Sequence, residues 1–249
     1  KPMDRHARFV DQARWTKTLR DYLTKSIAIP DEAITLEIGC GSGVIAEDFF
    51  DFCHCRTLGV DINFNRCELS MRNFHNLEIA NADGYYLPFS TSCFDIVFCH
   101  YLLLWITSPI DLFKEIHRVL KPNGVFIAYA EPDYQARIDY PPPLDQLGAL
   151  QNQALIDQGV NPRIGRQLSS LAFNTGFIDA RVGISGYEQS CGTMPEWLET
   201  EWATITEDIQ HRLSKSQIED YKKLDFESWQ AGTRILWIPT FYLITKKPS

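Results

Sequence analysis

An acid followed by alternating glycines is the feature of this sequence that most directly suggests chemistry. Glu37 lies in a short apolar run, and Gly39, Gly41 and Gly43 follow it before a helical pattern begins at Val44. A strand that ends in glycines and continues as a helix directs backbone N–H groups toward the space above the sheet. Glycine also lets a ligand approach the backbone closely and permits turns with positive φ. The stretch predicts a site of nucleotide size.

The spacing of the glycines separates two kinds of nucleotide site. A dinucleotide-binding loop has the pattern Gly-x-Gly-x-x-Gly, whereas here Val44 stands where the third glycine would be. An acid such as Glu37 is unfavourable beside an anionic pyrophosphate, but it suits a ligand that presents an ammonium group to the loop. For the loop taken alone, a structural turn is the alternative.

Two further acids follow the next two predicted strands. Asp61 comes about 20 residues after the loop, the spacing at which a carboxylate binds both hydroxyls of a ribose. Asp83, next to Gly84, offers an acceptor for the exocyclic amine of an adenine. The alternatives are that Asp61 caps the helix beginning near Asn63 and that Asp83 belongs to an Asp-Gly turn.

Alternating strands and helices must position these residues. Apolar patterns predict strands at 34–38, 56–60, 77–80, 94–100, 125–130, 177–184 and 236–244, with a turn at 121–124. They predict helices at 9–27, 43–53, 63–74 and 144–158, and others beginning at Ser108 and near Arg163. Two apparent capping boxes, Thr193-x-x-Glu196 and Ser216-x-x-Glu219, indicate a helical insertion before the last strand. This order predicts a doubly wound α/β sheet with helices on both faces.

Composition limits the possible partners. The 249 residues carry a net charge of −8, and their Lys and Arg residues form no long cluster, which disfavours nucleic acid. No apolar run is long enough to span a bilayer, and nothing at the N-terminus resembles a signal peptide. An odd number of cysteines, seven, predicts reduced thiols and a cytoplasmic protein. No second pair at zinc-like spacing accompanies Cys53–His54–Cys55, so no metal is predicted.

Taken together, the motifs resemble those of the class I S-adenosylmethionine-dependent methyltransferases. The resemblance rests on Glu37-x-Gly39-x-Gly41-x-Gly43, Asp61, Asp83–Gly84 and the stretch from His117 to Gly124 before strand five, in that order. It implies a Rossmann-like sheet of seven strands whose last strand is antiparallel and inserts between strands five and six. We expect a single domain, 1–249, made of an N-terminal helical lid (1–33), a cofactor-binding core (34–131) and a substrate-side part (132–249).

The resemblance also implies roles for individual residues. Glu37 would face the amino acid end of S-adenosylmethionine, Asp61 the ribose hydroxyls and Asp83 the adenine, and the backbone around Cys99 would close the methionine side. The cofactor-binding residues expected on this basis are Glu37, Gly39, Gly41, Asp61, Ile62, Asp83, Gly84 and Cys99. S-adenosylhomocysteine would be the product.

The implied activity is methyl transfer to an acceptor by in-line displacement, in which the cofactor supplies the electrophile. The protein must mainly align the acceptor, and a general base is needed only if the acceptor arrives protonated. His100, at the end of strand four, is the candidate base because imidazole titrates near neutral pH. Lining the cofactor pocket is its alternative role, and Glu131 is the second candidate base.

A small-molecule acceptor is the leading expectation for the substrate. The end of strand four reads Cys99–His100–Tyr101, unlike the Asn/Asp-Pro-Pro-aromatic sequence of similar DNA amino-methylating enzymes, and no Pro-Cys pair for cytosine chemistry is present. Aromatic side chains could form an apolar wall, and an arginine could meet an anionic group. The candidate pocket residues are Trp15, Tyr22, Tyr101, Trp105, Glu131, Tyr134, Arg163, Arg166 and Trp237.

Two other functions stay open at this point. A non-catalytic relative that binds the cofactor as a partner subunit would keep every binding motif. A dehydrogenase dependent on NAD would share the doubly wound sheet, although Val44 and Glu37 disfavour it. The sequence does not indicate an oligomeric state.

Overall fold

A seven-stranded sheet organises the computed structural model, which describes residues 5–186 and 192–249. In chain order the strands are β1 (Ile34–Ile38), β2 (Arg56–Asp61), β3 (Glu78–Asn81), β4 (Phe94–Cys99), β5 (Leu120–Pro132), β6 (Ile138–Tyr140), β7 (Ile178–Ser185), β8 (Ile235–Trp237) and β9 (Thr240–Lys246). The order in the large sheet is β3-β2-β1-β4-β5-β9-β7, and β6 pairs with β8 in a small second sheet. In the large sheet, β9 is antiparallel to both neighbours and the other pairs are parallel. The predicted sheet and the position of its last strand are confirmed.

Helices cover both faces of this sheet. They are α1 (Arg5–Lys25), α2 (Val44–Cys53), α3 (Phe64–Asn73), α4 (Pro109–Val119), α5 (Leu144–Asp157), α6 (Leu168–Asn174), α7 (Leu198–Ile209) and α8 (Lys215–Gln230). Short 3₁₀ turns lie at Leu103–Trp105, Tyr134–Ala136 and Ile164–Gln167. Among the described helices, none combines the length and the apolar character that crossing a membrane requires.

Alternation along β4 explains the two-sided core. Ile96 and Phe98 pack with residues of α1 and α2, whereas Val97 and Cys99 pack with residues of α4 and α6. Successive side chains of a strand point to opposite faces, so a central parallel strand must be apolar on both. The ring of Phe98 stacks on Phe49 of α2, with centroids 4.7 Å apart. The core holds the carboxyl end of β4 rigidly in the middle of the sheet.

The insertion between β7 and β9 builds a separate apolar cluster together with α5. Trp202 of α7 and Trp229 of α8 are buried there against Leu144 and Leu147 of α5. Trp197 connects this cluster to α1, because its ring lies 5.3 Å from Trp15 and 6.1 Å from Trp229. The predicted helical insertion is confirmed. The division of the chain into lid, core and substrate-side part stays a prediction.

Several predicted boundaries are wrong. The run 236–244 is two strands, because Leu236 and Trp237 pair with β6 and β9 begins only at Thr240. The turn at 121–124 belongs to β5, which begins at Leu120 and includes Asn123 at a φ of 63°. Helix α1 runs from Arg5 to Lys25 instead of 9–27.

Both predicted capping boxes are misplaced. The capping box of α8 is formed by Ser214 and Gln217, two residues before the predicted pair, since Gln217 performs the function expected of a glutamate. Thr193 lies ahead of α7, whose N-cap is Trp197 and has no side-chain hydrogen bond. Where two serines lie near the start of a helix, the sequence alone does not determine which of them is the N-cap.

Candidate active site

A cavity of about 640 Å³ opens above the carboxyl ends of the parallel strands. One part, which we call the cofactor half, is lined by residues 37–42, 44, 45, 60–62, 66 and 82–85. The other part, the acceptor half, is lined by residues 8, 9, 12, 100–102, 104–107, 132, 134, 151, 155, 158, 204, 207 and 208. The carboxyl edge of an open α/β sheet is where ligands bind in this architecture.

The glycine loop forms the floor of the cofactor half. Gly39 and Cys40 donate backbone hydrogen bonds to the Val60 carbonyl at 2.8 and 3.0 Å, which ties the loop to β2. Gly41 adopts a φ of 53°, and a Cβ there would lie 3.4 Å from the ring of Phe9. Gly43, at a φ of 85°, is the N-cap of α2, and a Cβ there would overlap Ser70. The loop therefore needs glycine at both positions.

Glu37 is buried in the wall of this half. Its side chain is 1% exposed, and burial raises the pKa of its carboxyl to about 8 even though the Ala46 N–H and Arg20 act in the opposite direction. Within the described part of the chain, its Oε2 atom has no hydrogen-bond partner. A buried carboxyl oxygen without a partner is costly. A ligand that presents an ammonium group would satisfy it.

Asp61 connects the glycine loop to the start of α3. Its Oδ2 accepts from the Gly41 N–H at 2.9 Å and its Oδ1 from the Asn63 N–H at 2.8 Å. The cap of α3 is Asn63, whose side chain accepts from the Arg66 N–H. Asp61 is thus not the helix cap, and its carboxylate lines the cavity.

Asp83 serves the turn that follows β3 and also lines the cofactor half. Its Oδ1 accepts from the Tyr85 N–H at 2.9 Å, so the predicted Asp-Gly turn is present. Asp83, Gly84 and the exposed side chain of Ile62 all lie in the cavity lining. The turn and the binding interpretations are therefore compatible.

His100 lies between the two halves, immediately after β4. Its Nε2 is 2.8 Å from the Thr16 hydroxyl of α1, and its ring lies 4.3 Å from that of Tyr101. Arg20 donates to the same Thr16 oxygen at 2.5 Å. Burial, and then the charge of Arg20, lowers the pKa of His100 well below its usual value. The imidazole is consequently neutral at physiological pH.

Two predicted site residues lie beneath the cavity surface. Cys99 is fully buried in the core, and the adjacent His100 lines the cavity instead. Glu131 is also fully buried, and its carboxyl accepts the backbone N–H groups of residues 102, 103 and 104 at 3.0–3.3 Å. Burial raises the pKa of Glu131 to about 8. Glu131 therefore stabilises the turn after β4, and it does not line the acceptor half.

The predicted substrate residues divide into two sets. Tyr101, Trp105 and Tyr134 line the acceptor half. The remaining predicted residues lie outside the cavity lining: Trp15, Tyr22, Glu131, Arg163, Arg166 and Trp237.

Other contacts account for several residues of the second set. Trp15 packs on Trp197, and Tyr22 is 58% exposed. The guanidinium of Arg166 pairs with Asp133 at 2.5 Å, and Trp237 belongs to β8.

Three helices contribute lining residues that the sequence interpretation missed. They are Arg8, Phe9 and Gln12 of α1, Gln151 and Leu155 of α5 with Gln158 just beyond its end, and Thr204, Glu207 and Asp208 of α7. Spacings of three and four residues place each group on one helix face. That periodicity is the available signal, and it concerns mostly polar residues, whereas the prediction considered mainly aromatic ones.

No group of three or more His, Cys, Asp or Glu side chains with the arrangement of a metal site occurs among the described residues. Six described cysteines are free thiols, and Cys191 lies outside the described residues.

Residues 36–128 match the methyltransferase domain family, and these residues span β1 to the middle of β5. The chain therefore contains a methyltransferase domain of the class I S-adenosylmethionine-dependent type. It is 34% identical over 119 residues to a sterol 4-C-methyltransferase of Caenorhabditis elegans, covering 45% of this chain and 35% of that protein. It is 28% identical over 182 residues to an uncharacterised methyltransferase of Schizosaccharomyces pombe, covering 68% and 64%. The chain thus spans only part of the length of these relatives.

A solved structure shows the same fold. The phosphoethanolamine N-methyltransferase 2 of Haemonchus contortus, in complex with phosphomonomethylethanolamine and S-adenosylhomocysteine, superposes with a TM-score of 0.60 at 17% identity, covering 96% of this chain and 57% of that one.

S-adenosylmethionine is the cofactor of the family, and the residues of the cofactor half fit it. The unpartnered oxygen of Glu37 suits the ammonium of its amino acid end. Gly39 and Gly41 of the loop line the cavity, and two further carboxylates, Asp61 and Asp83, line the same wall.

Proposed function

We propose that this protein transfers a methyl group from S-adenosylmethionine to a small-molecule acceptor by in-line displacement. The observation that carries the proposal is the continuous cavity, in which the three carboxylates of the cofactor half and the side chains of His100, Tyr101 and Tyr134 line the same space. Its volume, about 640 Å³, is within the range of small-molecule sites. Helices α1, α5 and α7 enclose it, which favours a small acceptor over a polymer.

The cofactor supplies the reactive methyl sulfonium, and this chain supplies position. We assign the ammonium to Glu37, the ribose hydroxyls to Asp61 and the adenine amine to Asp83. Gly39, Gly41 and Gly84 let the ligand approach the backbone, and Ile62 covers the ribose side. Holding donor and acceptor in line contributes most of the acceleration in such a displacement.

His100 is the residue we assign to the acceptor's proton. It faces the cavity as a neutral imidazole, so one of its nitrogens is free to accept a hydrogen bond from the acceptor and then its proton. Because its pKa lies below the near-neutral value expected from the sequence, it is a weaker base than an ordinary histidine. The Thr16 hydroxyl orients its ring. The alternative, that His100 only shapes the pocket, predicts no kinetic effect beyond binding.

The small-molecule class has two supports. The nematode relative acts on a sterol, and the structural neighbour holds phosphomonomethylethanolamine, although neither name identifies the acceptor of this chain. The net charge of −8 and the carboxylates of the cavity disfavour a polyanion such as nucleic acid.

We also propose a reducing, cytoplasmic location, since the described cysteines are free thiols.

Calorimetry with S-adenosylhomocysteine and NAD, each titrated separately, tests the cofactor. We expect S-adenosylhomocysteine to bind with one site and NAD to give no signal. The reverse result would contradict the methyltransferase proposal. A screen of methyl acceptors then separates an enzyme from a non-catalytic partner subunit.

The variant His100→Gln tests the catalytic assignment. We expect turnover to fall by about 10²–10⁴-fold, the usual contribution of a general base, with S-adenosylhomocysteine affinity unchanged. His75→Gln is the matched control, because His75 is exposed and lies outside the cavity lining. Unaltered turnover in His100→Gln would leave His100 with a lining role only.

A further inference from the structure

A buried series of polar side chains runs from α8 to the acceptor half. Trp202 donates to Asp225 at 2.7 Å, and Arg234 bridges Asp225 and Asp139 at 2.5 and 2.7 Å. Arg137 binds the same Asp139 at 2.5 and 3.0 Å. The four charged side chains are at most 5% exposed. Two arginines and two aspartates neutralise each other, so this series brings no net charge to the cavity.

The series ends on α5. Asp139 approaches the helix at Gly148, where a Cβ would collide with its carboxylate. Arg137 donates to the Oε1 of Gln151 at 2.5 Å. Since a guanidinium can only donate, the amide oxygen of Gln151 must face Arg137, and its NH₂ group must face the other way. The orientation of this buried glutamine at the cavity wall is therefore fixed.

Gln151 in turn holds Asp208 of α7. Its Nε2 donates to one carboxylate oxygen of Asp208 at 3.2 Å, and the Nε2 of Gln158 donates to the other at 3.3 Å. In the part of the chain that the structure describes, no Lys, Arg or His lies within 4.0 Å of this carboxylate. Asp208 is thus oriented by two neutral amides at the cavity wall, without a cation to neutralise it.

The charges around this point are mostly negative. Glu207 lies next to Asp208 in the cavity lining. Burial is the main cause that raises the pKa of Tyr134 and Tyr101, and the negative charge of Glu201 raises both further. Arg8 is the opposing cation, and it lowers the pKa of Tyr134. Arg137 acts in the same direction, but its charge is already matched by Asp139. The acceptor half consequently presents more negative than positive charge.

We propose that the acceptor half recognises its substrate through a protonated amine that contacts Asp208. This inference rests on the proposed function and names the acceptor class: small amines, carried by an apolar part that packs against Tyr134 and Leu155. A cation is the ligand group that an oriented carboxylate without a counter-ion binds best, because the carboxylate keeps lone pairs free beside its two amide contacts and a charge-assisted hydrogen bond is stronger than a neutral one. Gln151 is a positioning residue in this scheme.

The experiment measures binding to the protein saturated with S-adenosylhomocysteine, so turnover is not required. The probes are two matched series of equal size: phenethylamine, 2-phenylethanol and phenylacetate, and hexylamine, hexanol and hexanoate. We expect the amine of at least one series to bind roughly tenfold or more tightly than its alcohol and its carboxylate, the range of one hydrogen bond to a charged group.

Two variants separate a local contact from the general field of the protein. Asp208→Asn should remove the preference for the amine while S-adenosylhomocysteine affinity and the melting temperature stay close to those of the unmodified protein. Asp220→Asn makes the same change of charge at an exposed site on α8 and should leave the preference intact. Gln151→Leu should weaken amine binding without changing S-adenosylhomocysteine binding.

Equal affinities within both series, a preference for the carboxylate, no amine binding, or a preference that survives Asp208→Asn would overturn the amine assignment. Loss of S-adenosylhomocysteine binding in the unmodified protein would instead overturn the proposed function, so the two failures are distinguishable.

Discussion

The two halves of the cavity are built in different ways. The cofactor half is made of consecutive strand ends, where Glu37, Asp61 and Asp83 each lie in or just after one strand of a parallel sheet. The acceptor half is made of faces from helices α1, α5 and α7. More than a hundred residues of chain separate α1 from α5. A short motif can specify the first half. Only the packing of whole helices specifies the second.

This difference predicts different responses to change. Asp61 and Asp83 of the cofactor half accept backbone N–H groups, so altering them disturbs both binding and folding. Side chains of the acceptor half lie on helices with their own apolar cluster, so many of them can change without affecting the sheet. The following predictions proceed from the largest expected effect to the smallest.

Asp61→Ala should produce the largest effect on cofactor binding. Loss of the carboxylate removes the proposed ribose contacts, for about 1.5–3 kcal/mol of binding free energy, and also the hydrogen bonds from the Gly41 and Asn63 N–H groups. We therefore expect weaker S-adenosylhomocysteine binding together with a lower melting temperature. Calorimetric titration and thermal melts measure the two effects. Asp61→Asn keeps one acceptor oxygen, so its melting temperature should fall less than that of Asp61→Ala, although its ligand binding should still be weakened. An unchanged melting temperature in Asp61→Ala would contradict the expected effect on folding.

The pH dependence of binding should distinguish Glu37 from Glu131. Burial raises the pKa of Glu37 to about 8. At a pH below 8 its carboxyl is therefore protonated in the free protein, and it must lose that proton when it pairs with the ammonium group of the ligand. Affinity for S-adenosylhomocysteine should rise with pH up to about 8, by at most tenfold per unit, and then level off. Titrations in buffers of different ionisation enthalpy detect the proton. Glu37→Gln should bind weakly and without this slope.

Glu131→Gln is the matched control for this measurement. The pKa of Glu131 is raised equally, but its carboxyl faces backbone N–H groups and lies outside the cavity lining. The pH slope of binding should persist in this variant. Both acids have folded pKa values above the ordinary 4.5, so their contribution to stability is full below that pH and declines as pH rises toward 8. Each Gln variant should therefore flatten the decline of the unliganded protein's melting temperature over this window.

Hydrogen exchange should show whether α1 and α7 close on the cofactor. The ring of Phe9 lies over Gly41, and the guanidinium of Arg66 lies 5.5 Å from the same ring, so a bound ligand beneath them should restrict α1. We expect added protection over 5–16 and 198–209 with S-adenosylhomocysteine, and roughly threefold to tenfold weaker binding in Phe9→Ala, about the contribution of one aromatic contact. Protection confined to 36–43, 61–63 and 83–85 would contradict closure.

The smallest effects should come from predicted pocket residues that lie elsewhere. Tyr22 and Arg163 are exposed and outside the cavity lining. Tyr22→Ala and Arg163→Ala should change unfolding free energy by no more than about 0.5 kcal/mol, as exposed substitutions usually do, and should leave ligand binding unaltered. Reduced ligand affinity in either variant would mean that the acceptor half extends beyond the cavity described above.

The same contrast explains how far the sequence could be interpreted. The strands and the position of Asp61 follow from local patterns, because each depends on residues close in sequence. The antiparallel β9 followed only from the resemblance, because it pairs with strands that are distant in sequence. Trp15 is a predicted pocket residue because aromatic side chains could form an apolar wall, yet the same helix places Phe9 and Gln12 in the cavity lining instead. Arg137 and Gln151 carry no motif at all. They are part of a series of buried polar side chains that forms only when β6, β8 and α5 pack together in the folded protein.

The three neighbouring tryptophans have an optical consequence. Trp15 lies on α1, Trp197 precedes α7 and Trp229 lies on α8. The ring of Trp197 is 5.3 Å from that of Trp15 and 6.1 Å from that of Trp229, with interplanar angles of 72° and 89°. At such separations the excited states of the rings couple and exchange energy. Any movement of α1 relative to the insertion would alter the ultraviolet circular dichroism and the fluorescence lifetime of the unlabelled protein. The protein thus contains its own spectroscopic reporter of whether the acceptor half is assembled.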